Sequence, residues 1–252
     1  MSFIKIKNIN IHYENSGDGK QIAILLHGWG QNTEMMIHIQ NHLSKFFTVY
    51  NIDFPGFGES ELMPYAYSPD DFVELIHEFV LVNNIKNPIL IGHSFGGHIS
   101  TRYAAKYDVY KMVLTGSAGL KPKRDISYYI RVYTYKLGKK IFNISFLNKY
   151  KDKFMKNKGS TDYQNTSGVL RETFVKVVNS YIDNILDKIE CEVLLVYGSN
   201  DDATPLWMGK YLESHIKNAG LAVFEGCDHY AYYTQANRFN NVLDAFFKED
   251  IC

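Results

Sequence analysis

Pro88-Ile-Leu-Ile-Gly92-His-Ser94-Phe-Gly96-Gly97 is the stretch on which the reading of this chain turns. An apolar run, Ile89 to Ile91, ends in Gly92-x-Ser94-x-Gly96, and a helical-looking segment follows from His98 to Lys106. A strand that turns at once into a helix is the setting in which this five-residue pattern lifts a serine hydroxyl above a sheet, at the positive end of a helix. The turn is tight enough that a side chain at 92 or 96 is expected to collide with neighbouring backbone, and Ser94 is expected at positive φ. The pattern alone also arises in Gly-rich strand ends that merely turn. The weight therefore falls on whether the rest of the chain supplies partners for a serine.

The flanking sequence alternates between two periods. Phe3 to Lys7 and Ile9 to Tyr13 alternate apolar and polar residues, and Asn15-Ser-Gly-Asp-Gly19 breaks the pattern, which predicts an opening pair of antiparallel strands. Ile22 to Leu26 is a continuous apolar run, as expected of a strand covered on both faces, and it ends in His27-Gly28-Trp29-Gly30. Thr33 offers a cap for a helix whose stripe is Met35, Met36, Ile39 and Leu43. Phe47 to Ile52 predicts a further strand, closed by Asp53-Phe-Pro-Gly-Phe-Gly-Glu-Ser60. Ser68-Pro69 then opens a helix with Phe72, Leu75, Ile76, Phe79 and Val80 at helical spacing. After the serine turn, Lys111 to Thr115 reads as one more buried strand. This alternation predicts a parallel sheet wrapped by right-handed crossovers.

From about Lys121 to Ser180 the alternation stops. This segment is rich in Tyr and Phe and holds fourteen Lys and Arg against four acids, a formal +10 in a chain with 27 basic and 27 acidic residues. It reads as a helical cap, residues 121–180, inserted into a core of 1–120 and 181–252. The plain alternative for its lysines is a solvated outer face. The sheet pattern resumes at Val193 to Tyr197, followed by Gly198-Ser-Asn-Asp201-Asp202-Ala-Thr-Pro205. A helix from about Leu206 to Lys217, a strand at Ala222 to Phe224, the loop Glu225-Gly-Cys-Asp-His229 and an amphipathic helix with Phe239, Val242, Leu243, Phe246 and Phe247 complete the chain.

Composition narrows the function. Balanced charge argues against a general nucleic-acid binder. Cys191, Cys227 and Cys252 are odd in number and lack C-x-x-C spacing, so neither a disulfide framework nor a zinc site is indicated. No metal or cofactor is expected, and Gly92 to Gly97 lacks the Lys-Ser/Thr tail of a phosphate-binding loop. No apolar run approaches membrane-spanning length and the first residues lack a signal-peptide core. The expected setting is cytoplasmic, with a small-molecule partner, no nucleic acid, and a monomer or homodimer.

His27-Gly-Trp-Gly30, Asp53-x-Pro-Gly-x-Gly-x-Ser60, Gly92-His-Ser-Phe-Gly96, Gly198-x-x-Asp201-x-x-x-Pro205 and Gly226-x-x-His229 together resemble, in order and spacing, the α/β-hydrolase superfamily. The resemblance spans residues 20 to 250 except the cap, and is specific for the fold but weak on the substrate. It implies Ser94 as nucleophile, Asp201 as the acid and His229 as the base, in the superfamily's chain order. Acyl transfer needs these types: a serine is a poor nucleophile until a base takes its proton, and an imidazole can take it and return it to the leaving group. Asp201 fits the superfamily spacing, leaving Asp202 as its exposed neighbour. Some relatives carry the acid after the preceding strand, but there this chain has Gly116-Ser117-Ala118. Asp53 resembles a loop-shaping residue.

The backbone N–H groups of Trp29 and Phe95 are the expected oxyanion donors. The side chains of Trp29, Phe95, Tyr128 and Tyr129 are expected in the substrate pocket. His12, His38, His42, His77 and His215 read as structural or exposed, and His93 and His98 as packing beside the turn. The implied activity is hydrolysis of a small carboxylic ester or related acyl compound through an acyl-enzyme intermediate. Carbon–carbon, thioester and amide substrates use the same three residues and stay open, as does, outside catalysis, a ligand-binding protein on this fold.

Overall fold

The computed structural model describes residues 2–122 and 161–251. Its eight strands are β1 (Ser2–Ile6), β2 (Ile9–Ser16), β3 (Ile22–Leu26), β4 (Thr48–Ile52), β5 (Ile89–His93), β6 (Lys111–Thr115), β7 (Glu192–Gly198) and β8 (Ala219–Phe224). They form one sheet in the order β1-β2-β4-β3-β5-β6-β7-β8. β1 pairs antiparallel with β2 and β2 with β4, while every pair from β4 to β8 is parallel. This is an α/β-hydrolase fold with a mostly parallel sheet.

Alternation along the strands decides which helix covers which face. On β3, Ala23 and Leu25 point into a core shared with α1 (Ile37–Leu43) and α6 (Ala236–Phe246), through Met36, Ile39, Leu43, Phe239 and Leu243. Ile24 and Leu26 point the other way, into the core filled by Phe72, Leu75, Ile76 and Phe79 of α2 (Pro69–Val82), Ile99 of α3 (Phe95–Ala104) and Leu212 of α5 (Leu206–His215). Both faces of the parallel strands are therefore dry. Each fully buried Leu, Ile or Phe contributes about 1.5–3 kcal/mol, which makes these two layers the main source of stability.

Two local expectations are corrected. The helix after Ser94 begins at Phe95, three residues before the predicted His98, because the chain enters it directly from the Ser94 turn. The cap of the segment before α1 is Asn32, whose side chain accepts from the Glu34 N–H, whereas Thr33 is buried with its own N–H donated to Asp53 Oδ1 at 2.7 Å. Ser68 caps α2 as the sequence implies, in a reciprocal box with Asp71 and with Pro69 at the first helical position.

The strand order positions the site. After β3 the chain crosses to β4 on one side, then returns to lay β5 on the other side of β3. Ligands of open α/β sheets bind at the carboxyl ends of strands where the order reverses in this way. The loops leaving β3 and β5 at that point carry Trp29 and Ser94.

Between β6 and β7, the described residues include α4 (Gly168–Val178). Its Thr173 hydroxyl accepts from the Tyr67 N–H and its Phe174 ring lies 5.2 Å from that of Trp29. Most of the basic segment, with Tyr128 and Tyr129, lies outside the described residues. Among the described residues, no helix is long and apolar enough to cross a membrane.

Candidate active site

Ser94 has φ 51° and ψ −108°, and β5 turns into α3 around it. A Cβ at Gly96 would lie 1.9 Å from the Leu26 carbonyl oxygen, and one at Gly92 would lie 2.5 Å from the Gly96 backbone. Both positions therefore need glycine because of close approach, the collision anticipated from the sequence. The strained serine is held by its own backbone, whose N–H donates to Thr115 O and whose carbonyl accepts from Ala118 N and His98 N. Its side chain stands at the N-terminus of α3, where the helix dipole favours negative charge.

Asp201 and His229, the candidate acid and base, come from neighbouring loops that are fastened to each other. Ser199 N donates to Phe224 O, Asn200 N to Cys227 O and Gly226 N to Ser199 Oγ, joining the turn after β7 to the turn after β8. Gly198 permits this contact, since a Cβ there would lie 2.3 Å from the carbonyl oxygens of Cys227 and Asp228. The result brings His229 Nδ1 to 2.7 Å from Asp201 Oδ2, with the Asp201 side chain 0% exposed and that of His229 15%. Burial alone would raise the Asp201 pKa, but hydrogen bonds from His229 and Thr204 outweigh it and bring it below the usual carboxylate value. An ionised carboxylate only accepts, so His229 carries its proton on Nδ1 and leaves Nε2 as the basic nitrogen. Among the described residues no hydrogen bond joins the Ser94 hydroxyl to His229; the rings of His93 and His229 lie 4.7 Å apart. Asp202 is exposed.

Two backbone donors stand near the turn. Phe95 is the first residue of α3 and has no intrahelical acceptor, and Trp29 lies in the loop after β3. Neither N–H is engaged in a hydrogen bond among the described residues. The Phe95 ring is buried against Phe54, Phe72 and Trp29, and Trp29 bridges Phe57, Phe95 and Phe174.

His27 holds the Trp29 loop, a role the sequence motif contained but did not reveal. Its Nδ1 lies 2.7 Å from Gly28 O and its Nε2 accepts from Phe54 N at 3.0 Å, so the neutral ring ties the loop after β3 to the loop after β4. Burial lowers its pKa, keeping it neutral. Asp53 organises the same region: Oδ1 accepts from Thr33 N, Oδ2 accepts from Glu59 N, and His12 Nδ1 lies 2.8 Å from Oδ2. It bonds local backbone, as the resemblance implies.

His93 and His98 are both buried. Burial first, then the neighbouring His229, pushes the His93 pKa down to about 3, and burial followed by Arg102 does the same to His98. Below Thr204 lies a cavity of about 220 Å³, lined by Ala118, Leu120, Val177, Met208, His98 and Thr204 among others. Its polar members are engaged: His98 Nε2 accepts from Arg102 Nε, and the Thr204 hydroxyl lies within hydrogen-bond reach of two acceptors, Asp201 Oδ2 and Gly116 O.

Comparison with known proteins agrees with this architecture. A family model described as "Alpha/beta hydrolase family" matches residues 23–242. The chain is 26% identical over 260 residues to a 2-hydroxy-6-oxononadienedioate/2-hydroxy-6-oxononatrienedioate hydrolase of Paraburkholderia phymatum, covering 93% of this chain and 90% of that one. It is 27% identical over 241 residues to a pimeloyl-[acyl-carrier protein] methyl ester esterase of Neisseria meningitidis, covering 88% and 91%. Among solved structures, a meta-cleavage product hydrolase from Pseudomonas fluorescens superposes with a TM-score of 0.74 at 24% identity, over 99% of this chain and 98% of that one. With the family match running from β3 into the last helix, and a serine turn at the switch point of the sheet, the chain belongs to the alpha/beta hydrolase family.

Proposed function

We propose that this hydrolase cleaves a small carboxylic ester or related acyl compound through an acyl-enzyme on Ser94. His229 Nε2 takes the Ser94 proton as Oγ adds to the carbonyl, and returns it to the leaving oxygen as the tetrahedral intermediate collapses. Water, deprotonated by the same nitrogen, then releases the acid and restores the serine. Asp201 keeps the imidazole in the working tautomer and balances its transient charge. The N–H groups of Trp29 and Phe95 receive the oxyanion. The observation that carries this reading is the 2.7 Å Asp201–His229 contact on a fully buried carboxylate, in the loops beside a serine at φ 51°. Residues 121–180 are taken as a cap over the site, a reading supported by Phe174 against Trp29. The uncharged cavity beside Thr204 suits a small apolar group of the substrate.

A fluorophosphonate probe tests the reading directly. It is expected to add one phosphonyl group to the Ser94 peptide, seen by mass spectrometry, and to abolish hydrolysis of p-nitrophenyl acetate and butyrate. A protein that hydrolyses these esters yet resists the probe would sink the serine mechanism. Resistance together with silence on an ester, thioester and dienone panel would favour a ligand-binding protein.

One observation favours carbon–carbon cleavage as the second reading. Relatives named dienedioate hydrolases act on dicarboxylates by that name, and an acid substrate calls for a cation. Among the described residues the Arg171 side chain, on α4, makes no hydrogen bond or ion pair; it lies 5.1 Å over the Tyr163 ring, which touches Phe174 and through it Trp29. If Arg171 receives a substrate carboxylate, Arg171→Gln should raise KM for a dianionic dienone about tenfold and leave that for a neutral ester unchanged, as expected for loss of one hydrogen bond to a charged group. Equal effects on both substrates would exclude that role.

A further inference from the structure

The Asp201 carboxylate is saturated by four contacts, one of which the acid–base pair itself does not require. Oδ1 accepts from the backbone N–H groups of Ala203 and Thr204, both at 2.8 Å. Oδ2 faces His229 Nδ1 at 2.7 Å and the Thr204 hydroxyl at 2.8 Å. That hydroxyl also lies 3.0 Å from Gly116 O and 3.1 Å from His229 Nδ1. A single buried oxygen thus touches the acid, the base and the chain just beyond β6.

A hydroxyl has one proton, so it serves Asp201 or Gly116 but not both at once. The carboxylate is the nearer acceptor and the charged one, and charge-assisted hydrogen bonds are the stronger. With its proton on Oδ2, Thr204 draws part of the carboxylate's charge away from His229 and fixes the plane in which that charge is presented. Backbone geometry keeps it there: Thr204 lies three residues after Asp201, just before Pro205, in the turn tied down by the Ala203 and Thr204 N–H groups. We infer that Thr204 is a positioning residue of the acid–base pair, its hydroxyl setting both the orientation of Asp201 and the basicity of His229. The inference rests on Asp201 and His229 acting as acid and base.

The surroundings of His229 leave room for such an effect. Asp201 and Thr204 face it from the loop after β7, and His93 faces it from the end of β5 with its ring 4.7 Å away. Asp228 and Tyr230 adjoin it in its own loop, the Tyr230 ring 5.4 Å away, and Asp202 is exposed. Without the Thr204 hydroxyl, Oδ2 serves His229 alone and holds the imidazolium more tightly, so the ring should give up its proton at higher pH.

The test compares Thr204→Val, which keeps the side-chain volume, with Thr204→Ser, which keeps the hydroxyl and drops the methyl. The ¹H–¹³C signals of the His229 ring, assigned by their loss in His229→Gln, are titrated in the full chain without substrate. Thr204→Val is expected to raise the His229 midpoint by about half a pH unit or more. It should also lower kcat for p-nitrophenyl acetate about tenfold with KM within roughly twofold. Thr204→Ser should restore both. An unmoved midpoint in the valine variant, or a serine variant that behaves like valine, overturns the inference. Should valine not fold, Thr204→Ala carries the same readout. Because the titration needs no turnover, a midpoint that moves in a protein whose Ser94→Ala form still hydrolyses ester would refute the serine mechanism and leave the Thr204 assignment standing.

Discussion

Ser94→Ala is expected to lower kcat on any ester the protein accepts by on the order of 10⁵ or more, leaving the residual rate that oxyanion donors and binding alone supply. The fold should not notice. Ser94 keeps its place through main-chain bonds to Thr115, Ala118 and His98, all of which alanine retains. The backbone strain at φ 51° is the same for both residues, since both carry a Cβ. The thermal midpoint should therefore shift by no more than about 0.5 kcal/mol would produce. Stopped assays with purified variant and a melting curve decide the matter together: near-normal turnover would remove the serine mechanism, whereas lost turnover with lost folding would say nothing about chemistry.

Much of the architecture was legible because single physical demands wrote it. β3 is bounded by Ile22 and Leu26 as predicted, since a strand dry on both faces has to be apolar at every position. Gly92 and Gly96 announce the serine turn because backbone from β3 and from the helix leaves no room for a Cβ. Gly96 and Gly97 also obscure the helix start. Their poor helix propensity pushes the apparent beginning to His98, while packing against Leu26 holds Phe95 to Gly97 in helical form. Thr33 was misread because Asn32 beside it is an equally good cap, and only the tertiary bond from Thr33 N to Asp53 separates them.

What stayed hidden depends on contacts between distant loops. Nothing in Gly198-x-x-Asp201-x-x-x-Pro205 marks Thr204 as touching both Asp201 and His229; that needs the β7 and β8 turns fastened together. Arg171 is one of fourteen basic residues in its segment, and composition alone does not mark it as the one beside Tyr163 and Phe174. His27 reads as part of a motif, yet its task of joining two loops appears only when Phe54 N is seen at its Nε2. The order of the strands, which makes β3 and β5 the switch point, is likewise a tertiary fact.

The adjacent acids Asp201 and Asp202 offer the sharpest test of register. In Asp201→Asn the amide oxygen must take the place of Oδ1, because the N–H groups of Ala203 and Thr204 both point there. The amide NH₂ then faces His229 Nδ1 at the position of Oδ2. A donor there turns Nδ1 into an acceptor and moves the imidazole proton to Nε2, the nitrogen proposed to receive the proton of Ser94. The side chain keeps its shape and the imidazole acquires the wrong tautomer, so kcat should fall by about 10⁴ with KM little changed. Asp202 is exposed, and Asp202→Asn should stay within roughly twofold of the parent. Steady-state kinetics on the two variants separate the alternatives. A large loss at 202 with little at 201 would mean that the acid has been placed one residue too early, and equal small losses would mean that His229 works without an orienting carboxylate.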